Sequence, residues 1–321
     1  MPCPWGKMQI YRYPPPSLPT DRPIALSIGS FDGFHRGHQQ LVSRLQLVAS
    51  ERGLASALFT YEEHPSRLLC PAVPTPQLCT FEQKVALLAS TAVDYLFIAR
   101  FDASFASQTA QQFLLQLREQ LTLAHLQIGH DGRIGKGREG QRELLEPIAS
   151  ALGLSLDYCP PLLWKEQPIS STLLRQLIAQ GHLSIAHELL GRPYSLYATR
   201  VPGAGIGLQL GYPTANLVVD GLIVPPAGVW SVWARLEGKK SLWPAVANLG
   251  RAPTLQPSRP LRLEVHLLDW HGPLQSPSLE IFFHRKLRDE SRFSSKEALC
   301  SQIQSDVALA RQQLCEPPSI E

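Results

Sequence analysis

What most constrains this chain is a change of texture near residue 190. Before it, short apolar runs alternate with helical patterns: IALSIGSF (24–31), LASALFTY (54–61), DYLFIA (94–99), HLQIG (125–129) and SLDYC (155–159). Between the first two, Leu41, Leu45 and Val48 recur at helical spacing, and further helical patterns fall near 80–90, 108–121 and 141–152. Five such strands separated by helices predict an α/β, doubly wound parallel sheet. Ligands of such sheets sit beyond the carboxyl ends of the strands. After residue 190, glycine, proline and short β-branched or aromatic runs take over: SLYATRV, GVWSVWARL, SLWPAVANL, LRLEVHLLDW and SLEIFFH. These predict a small antiparallel β-barrel. A C-terminal helix closes the chain from Ser295 to Leu314, with Leu299, Ile303, Val307, Ala310 and Leu314 on one stripe. The expected domains are 1–188 and 189–321, with the seam near Leu190–Pro193.

Composition supports two ordinary cores: 44% of the 321 residues are hydrophobic and 18% charged. The formal charge of +3 leaves no basic stripe of the kind a duplex-binding protein carries, so no nucleic-acid partner is expected. The dense basic stretch Arg133, Lys136, Arg138 and Arg142 reads as a solvated or phosphate-facing loop. The six cysteines form no CxxC pair and no metal-ligand spacing, which suits free thiols in a reducing compartment. The opening residues hold no apolar signal region and no run is long enough to span a bilayer. A cytoplasmic protein without membrane partners is expected, and its oligomeric state is left open.

Two segments carry chemistry in the first half. Gly29-Ser30-Phe31-Asp32-Gly33-Phe34-His35-Arg36-Gly37-His38 lies where the first predicted strand turns into a helix. A helix start offers unpaired N–H groups and positive dipole to an anion, and Gly33 and Gly37 allow close approach to phosphate oxygens. His35 and His38 share one face of the first turn, where imidazoles can hydrogen-bond an α-phosphate as charge builds on it. The plainer alternative is a pair of exposed histidines beside a helix cap. The second segment is Ile169-Ser170-Ser171-Thr172-Leu173-Leu174-Arg175, a helix start whose hydroxyls and guanidinium suit a pyrophosphate leaving group.

The second half holds Gly211-Tyr212-Pro213-Thr214-Ala215-Asn216-Leu217. Thr214 and Asn216 offer hard oxygens suited to Mg²⁺ bridged to ATP phosphates. The preceding glycines, Gly203, Gly205, Gly207 and Gly211, suggest a flexible flap over phosphate. In LRLEVHLLDW, Arg262, Glu264 and His266 alternate with Leu263, Val265 and Leu267 and so share a face. A carboxylate there can take the proton of an attacking primary hydroxyl, or it is an ordinary surface strand residue.

In combination these segments resemble two families. GSFDGFHRGHQ, YEEHP (61–65) and ISSTLLRQLIAQGHLSIAHELLGRPY (169–194) resemble bacterial FAD synthetase, a nucleotidyltransferase. The resemblance implies ATP bound by Gly29, Phe31, Gly37, His35 and His38, with Ser171, Thr172 and Arg175 at the pyrophosphate and Asp131 lining the flavin pocket. PTAN, GVWSVWARL, ANLGRAPT and KLRDESRF resemble riboflavin kinase. That implies Gly203, Gly207, Thr214 and Asn216 at Mg-ATP, Glu264 as base, and Arg288 near the flavin or the closing helix. Together they imply a bifunctional enzyme making FMN from riboflavin and FAD from FMN, with ATP as co-substrate and Mg²⁺ as cofactor. Two departures stand out. The family loop GxDFRFG reads Gly129-His130-Asp131-Gly132-Arg133-Ile134-Gly135 here, losing both aromatics, which bears on flavin contacts more than on ATP contacts. Ala204, Ile206 and Leu208 leave the flap without its usual basic residue, so that ATP binds more weakly at the kinase site or another residue such as Arg200 serves. The alternatives are a kinase whose first domain has drifted, a flavin-binding module without catalysis, and a nucleotidyltransferase for another phosphate substrate.

Overall fold

The computed structural model describes residues 8–17, 20–203, 205–250, 261–272 and 274–318. Two compact units emerge, Met1–Gln77 with Phe81–Ser171, and Leu78–Thr80 with Thr172–Glu321.

The first unit is built on a parallel sheet of β1 (Gln9–Arg12), β2 (Ile24–Ile28), β3 (Ala55–Tyr61), β4 (Tyr95–Ala99), β5 (Leu123–Gly129) and β6 (Ser155–Cys159). Its order is β1-β4-β3-β2-β5-β6. All five expected strands form. The sixth, β1, pairs only with β4 at the sheet edge, and its four residues are too few to show a period. Helix α1 (Arg36–Glu51) follows β2 and buries Leu41, Val42, Leu45 and Ala49, while Val48 from the expected stripe is half-buried. The turn α2 (Ser66–Leu69) and α3 (Phe81–Ala89) follow β3. Next come α4 (Ala103–Ala106) and α5 (Ala110–Leu121), then α6 (Arg142–Ala151) after β5. Helix α5 opens on a reciprocal cap between Thr109 and Gln112 and buries Phe113, Leu114, Leu117 and Leu121. Each such side chain contributes about 1.5–3 kcal/mol relative to exposure. One core lies between the sheet and helices α5 and α6, the other between the sheet and helices α1 and α3. From β2 the chain winds outward through β3 and β4. It then returns to β5 on the other side of β2, which makes the β2/β5 carboxyl ends the topological switch point.

A short hairpin, β7 (Leu163–Trp164) with β8 (Gln167–Pro168), leads into α7 (Ser171–Ala179), the helix expected from the ISSTLLR segment. Helix α8 (Leu183–Leu190) ends on Gly191 in the left-handed region. A closed barrel follows: β9 (Ser195–Val201), β10 (Ala215–Val218), β11 (Gly228–Leu236), β12 (Leu242–Gly250), β13 (Arg262–Leu267) and β14 (Ser278–Arg288). Its antiparallel order is β10-β13-β12-β11-β14-β9. A one-turn helix, α9 (Ile206–Gln209), precedes β10. Ala215, Leu217, Ala245, Ala247, Leu249, Leu263 and Val265 are buried at every second position, whereas Asn216, Val246, Asn248, Glu264 and His266 alternate with them. The expected face of β13 is therefore the one observed.

Helix α10 (Lys296–Gln313) is capped by Ser295 and packs Ala310, Leu314 and Val307 against Trp233, Leu268 and Phe282 outside the barrel. Leu299 and Ile303 of the expected stripe are only half-buried. The hydrophobic reading of this helix omits Asp306, which is buried and holds Arg288 of β14 in a two-pronged ion pair (Nη2–Oδ2 2.8 Å, Nε–Oδ1 3.0 Å).

Candidate active sites

At the end of β2 the backbone turns through Phe31 (φ 49°), Gly33 (φ 74°) and Phe34 (φ 35°). Left-handed conformations at two phenylalanines are strained, and such strain concentrates at functional sites. Both rings are buried, so core packing holds the loop in place. The Phe31 ring lies under Gly29, 3.3 Å from where a Cβ would stand. His35 then caps α1. Its Nδ1 accepts from the His38 amide at 3.4 Å, which leaves Nε2 as the ring nitrogen able to donate.

The two imidazoles stack with centroids 3.7 Å apart, and the Phe31 edge meets His38 at 5.4 Å. His38 keeps some exposed surface, but its Nδ1 is enclosed and has no hydrogen-bond partner among the described residues. Burial, reinforced by the neighbouring His35, holds the His38 pKa well below the ordinary histidine value. His38 thus presents a neutral imidazole at the switch-point crevice, with the His35 ring stacked on it.

The second segment reaches the same loop. Ser171 Oγ donates to the Asp32 carbonyl at 3.0 Å, across 139 residues of sequence. A Cβ at Gly37 would stand 3.1 Å from both the His35 ring and the Ile169 carbonyl, so glycine is what lets these segments close. Thr172 (exposed) and Arg175 (half-buried) follow on α7. Asp131 stands exposed just past β5, its carboxylate 3.9 Å from His130 Nδ1.

In the barrel, β10, β13 and β12 bring Asn216, Glu264 and Asn248 into register as one outward-facing row. Thr214 and Asn216 are half-buried, and Asn216 lies in β10. Of the glycines before them, Gly203 and Gly207 are closely packed, whereas Gly205 and Gly211 have open space around them. A Cβ at Gly203 would stand 2.1 Å from Asn216 Nδ2, and one at Gly207 3.1 Å from Thr214 Oγ1. Tyr212 N–H also donates to the Gly207 carbonyl (2.8 Å), so this segment is a closed turn over Thr214. His266 Nδ1 lies 2.9 Å from the Pro213 carbonyl and its ring meets the Tyr212 edge, pinning the turn to β13. Arg200 donates to the Leu274 carbonyl. Ala204 and residues 251–260, with the RAPT part of ANLGRAPT, lie outside the described residues.

Two comparisons of sequence agree with this geometry. Residues 18–173 match the FAD synthetase family and residues 190–314 the riboflavin kinase family. The bifunctional riboflavin kinase/FMN adenylyltransferase of Escherichia coli strain K12 is 36% identical over 288 residues, covering 89% of this chain and 91% of that one. The chain belongs to this bifunctional family. The Pseudomonas fluorescens relative of the same description is 34% identical, covering 95% of this chain and 97% of its own. A Streptococcus pneumoniae crystal structure described as a macrolide-efflux protein has a TM-score of 0.79 at 27% identity, covering 92% of this chain and 95% of that one. Among the described residues, no helix of this chain is long and apolar enough to cross a membrane.

Against the family pattern, the 129–135 loop has a physical account. Gly132 N–H donates to the Gly129 carbonyl in a tight turn, and Ile134 is buried in the core beside α5 and α6. Room for an aromatic at position 132 is absent, since a Cβ there would stand 2.3 Å from Ile128 Cγ2. Gly132→Phe is therefore expected to lower FAD formation rather than tighten FMN binding, as titration of FMN at saturating ATP would show. Aromatic surface lies elsewhere, at the carboxyl ends of β3 and β4. Tyr61 meets Phe101 at 5.2 Å and Phe105 at 5.7 Å, with Tyr13 against Phe59 at 4.9 Å. Burial pushes the Tyr13 hydroxyl up to about 12, and its oxygen is enclosed without a partner among the described residues. Sequence reasoning missed this cluster because its members are scattered from residue 13 to 113.

Of the two places expected for Arg288, the structure shows the helix contact: besides Asp306, its Nη1 donates to the Asp289 carbonyl at 2.9 Å. Arg142 of the basic stretch pairs with Glu146 (2.7 Å) and covers the Tyr158 ring. Arg133, Lys136 and Arg138 are exposed.

Proposed function

We propose that the two sites divide the family's two reactions: the barrel phosphorylates riboflavin to FMN, and the parallel-sheet unit adenylylates FMN to FAD, each with ATP. The observation that carries the first assignment is the row Asn216–Glu264–Asn248 with the Gly203 and Gly207 backbones laid over Asn216 and Thr214. Glu264 accepts the proton of the primary ribityl hydroxyl as that oxygen attacks the γ-phosphorus and ADP leaves. Thr214 and Asn216 supply neutral hard oxygens. These fit Mg²⁺, which takes few protein ligands when substrate phosphates complete its shell. The ion would neutralise charge on the transferred phosphoryl group. Among the described residues there is no cluster of His, Cys, Asp and Glu fit to cage a metal without the nucleotide.

In the other unit, a phosphate oxygen of FMN attacks the α-phosphorus of ATP and pyrophosphate leaves. His35 and His38 hydrogen-bond the α-phosphate, and Gly29, Phe31 and Gly37 shape the backbone around it. The Ser171–Asp32 bond joins the two motifs, and Thr172 and Arg175 on α7 are assigned to the pyrophosphate. Asp131 and the Tyr61–Phe101–Phe105 surface are assigned to the flavin, since they lie at carboxyl ends of strands near the switch point. Arg288 acts on the flavin only indirectly, by seating α10. The domain seam is placed at residue 189, and dependence on ATP suits a cytoplasmic setting.

Incubating the protein with riboflavin, ATP and Mg²⁺ and separating the flavins by chromatography tests the whole assignment. FMN should appear first and FAD after it. FMN without FAD would leave only the barrel assignment standing.

A further inference from the structure

The barrel row contains one side chain that the proton transfer does not use. Asn248 of β12 stands directly beside Glu264 of β13, which stands beside Asn216 of β10. Neighbouring strands place facing Cβ atoms about 4.5–5.5 Å apart, so the amide and the carboxylate address the same small volume. Asn248 Oδ1 is fully enclosed and has no hydrogen-bond partner among the described residues. An enclosed acceptor without a donor is uncommon in folded proteins and calls for a partner such as a water, an ion or a ligand group.

The chemistry of the neighbouring base limits what that partner is. The reacting primary hydroxyl has one proton, and Glu264 takes it, so this hydroxyl cannot also donate to Asn248. The donor must be a second group carried close to the first. A polyol supplies one on the adjacent carbon.

We propose that Asn248 is a positioning residue that accepts a hydrogen bond from a secondary hydroxyl of the ribityl chain and so turns the primary hydroxyl toward Glu264. This rests on the assignment of Glu264 as the base. It makes the kinase site selective for a polyol chain over a simple ω-hydroxyalkyl chain. A site built to bond a hydroxyl discriminates strongly against the analogue that lacks it, because its own polar group is left unpaired.

The test compares two substrates in two proteins at saturating Mg-ATP. Riboflavin carries the secondary hydroxyls, and hydroxypentyl flavin keeps the terminal primary hydroxyl without them. With riboflavin, Asn248→Ala should lower kcat/KM about 5- to 150-fold. With hydroxypentyl flavin the same substitution should change the rate by less than about 2-fold, because the bond is already absent. A thermal melt and adenylylation of supplied FMN serve as folding controls. If the alanine protein does not fold, Asn248→Leu, closer in volume, carries the same comparison. Equal losses on both substrates would mean that Asn248 acts through packing or through a metal-bound water. No loss on riboflavin would mean that it is a spectator, and either result overturns the proposal. Glu264→Gln assayed alongside separates the two failures: if it retains full kinase activity the base assignment falls, whatever the two-substrate comparison gives.

Discussion

Glu264→Gln should lower riboflavin phosphorylation by roughly 100- to 10,000-fold, the range expected when a positioned base is removed. The substitution is nearly isosteric and leaves the β13 ladder to Asn216 and Asn248 in place, so the loss should lie in kcat more than in the affinity for either substrate. The glutamine oxygen still accepts a hydrogen bond from the hydroxyl but cannot take its proton. The interior neighbours Leu263 and Val265 are untouched, and the melting temperature should barely move. FAD formation from supplied FMN should persist, because that chemistry belongs to the other unit. Steady-state kinetics on each half-reaction would decide the matter. Unchanged phosphorylation would return Glu264 to the status of a surface strand residue.

The reading of Glu264 as a candidate depended on strand periodicity. In β13 every second residue is apolar and enters the barrel, so the position of the carboxylate outside followed from the pattern LRLEVHL. The same rule makes Asn248 legible in principle, since ANLG alternates with buried Ala247 and Leu249. What periodicity cannot supply is register: that Asn216, Glu264 and Asn248 lie side by side is a property of three strands paired across nearly fifty residues of chain. The helix-start motif around His35 was visible for a different reason, because glycine and histidine spacing there is local. The bond from Ser171 to Asp32 was not, since it spans most of the first unit.

The 129–135 loop shows where a residue pattern misleads. Set against the family loop, glycine at position 132 reads as a lost aromatic. In the structure the surrounding turn has closed onto Ile128, and Ile134 faces the core. Short buried contacts of this kind leave no periodic trace. Arg288 is a similar case: its partner Asp306 sits on an apolar helical face, where a charge gains a role only from what faces it.

His38→Ala should reduce FAD formation about 100- to 1,000-fold while FMN formation from riboflavin continues at close to its original rate. The estimate follows from the loss of one preorganised donor aimed at developing charge. Preorganisation is visible in the stack on His35 at 3.7 Å and the Phe31 edge at 5.4 Å, which fix the ring before any nucleotide arrives. The protonation state sharpens the prediction. Burial and the adjacent His35 hold the His38 pKa well below 6.5, so the neutral ring is the working form. A proton taken up only far below that value gives no gain in adenylyl transfer as pH falls from about 8 to 6. Had a charged imidazolium been the working donor, the rate would climb over that interval. Removing the ring also leaves a gap beside buried Phe31, so part of any loss could come from a loosened loop. His38→Gln separates these effects, since it fills much of the volume and keeps a neutral N–H donor. It should recover a substantial part of the lost rate. An equal fall in both activities, or a rate that climbs as His38 is protonated, would defeat the assignment of separate sites with a neutral His38 at the adenylyl-transfer centre.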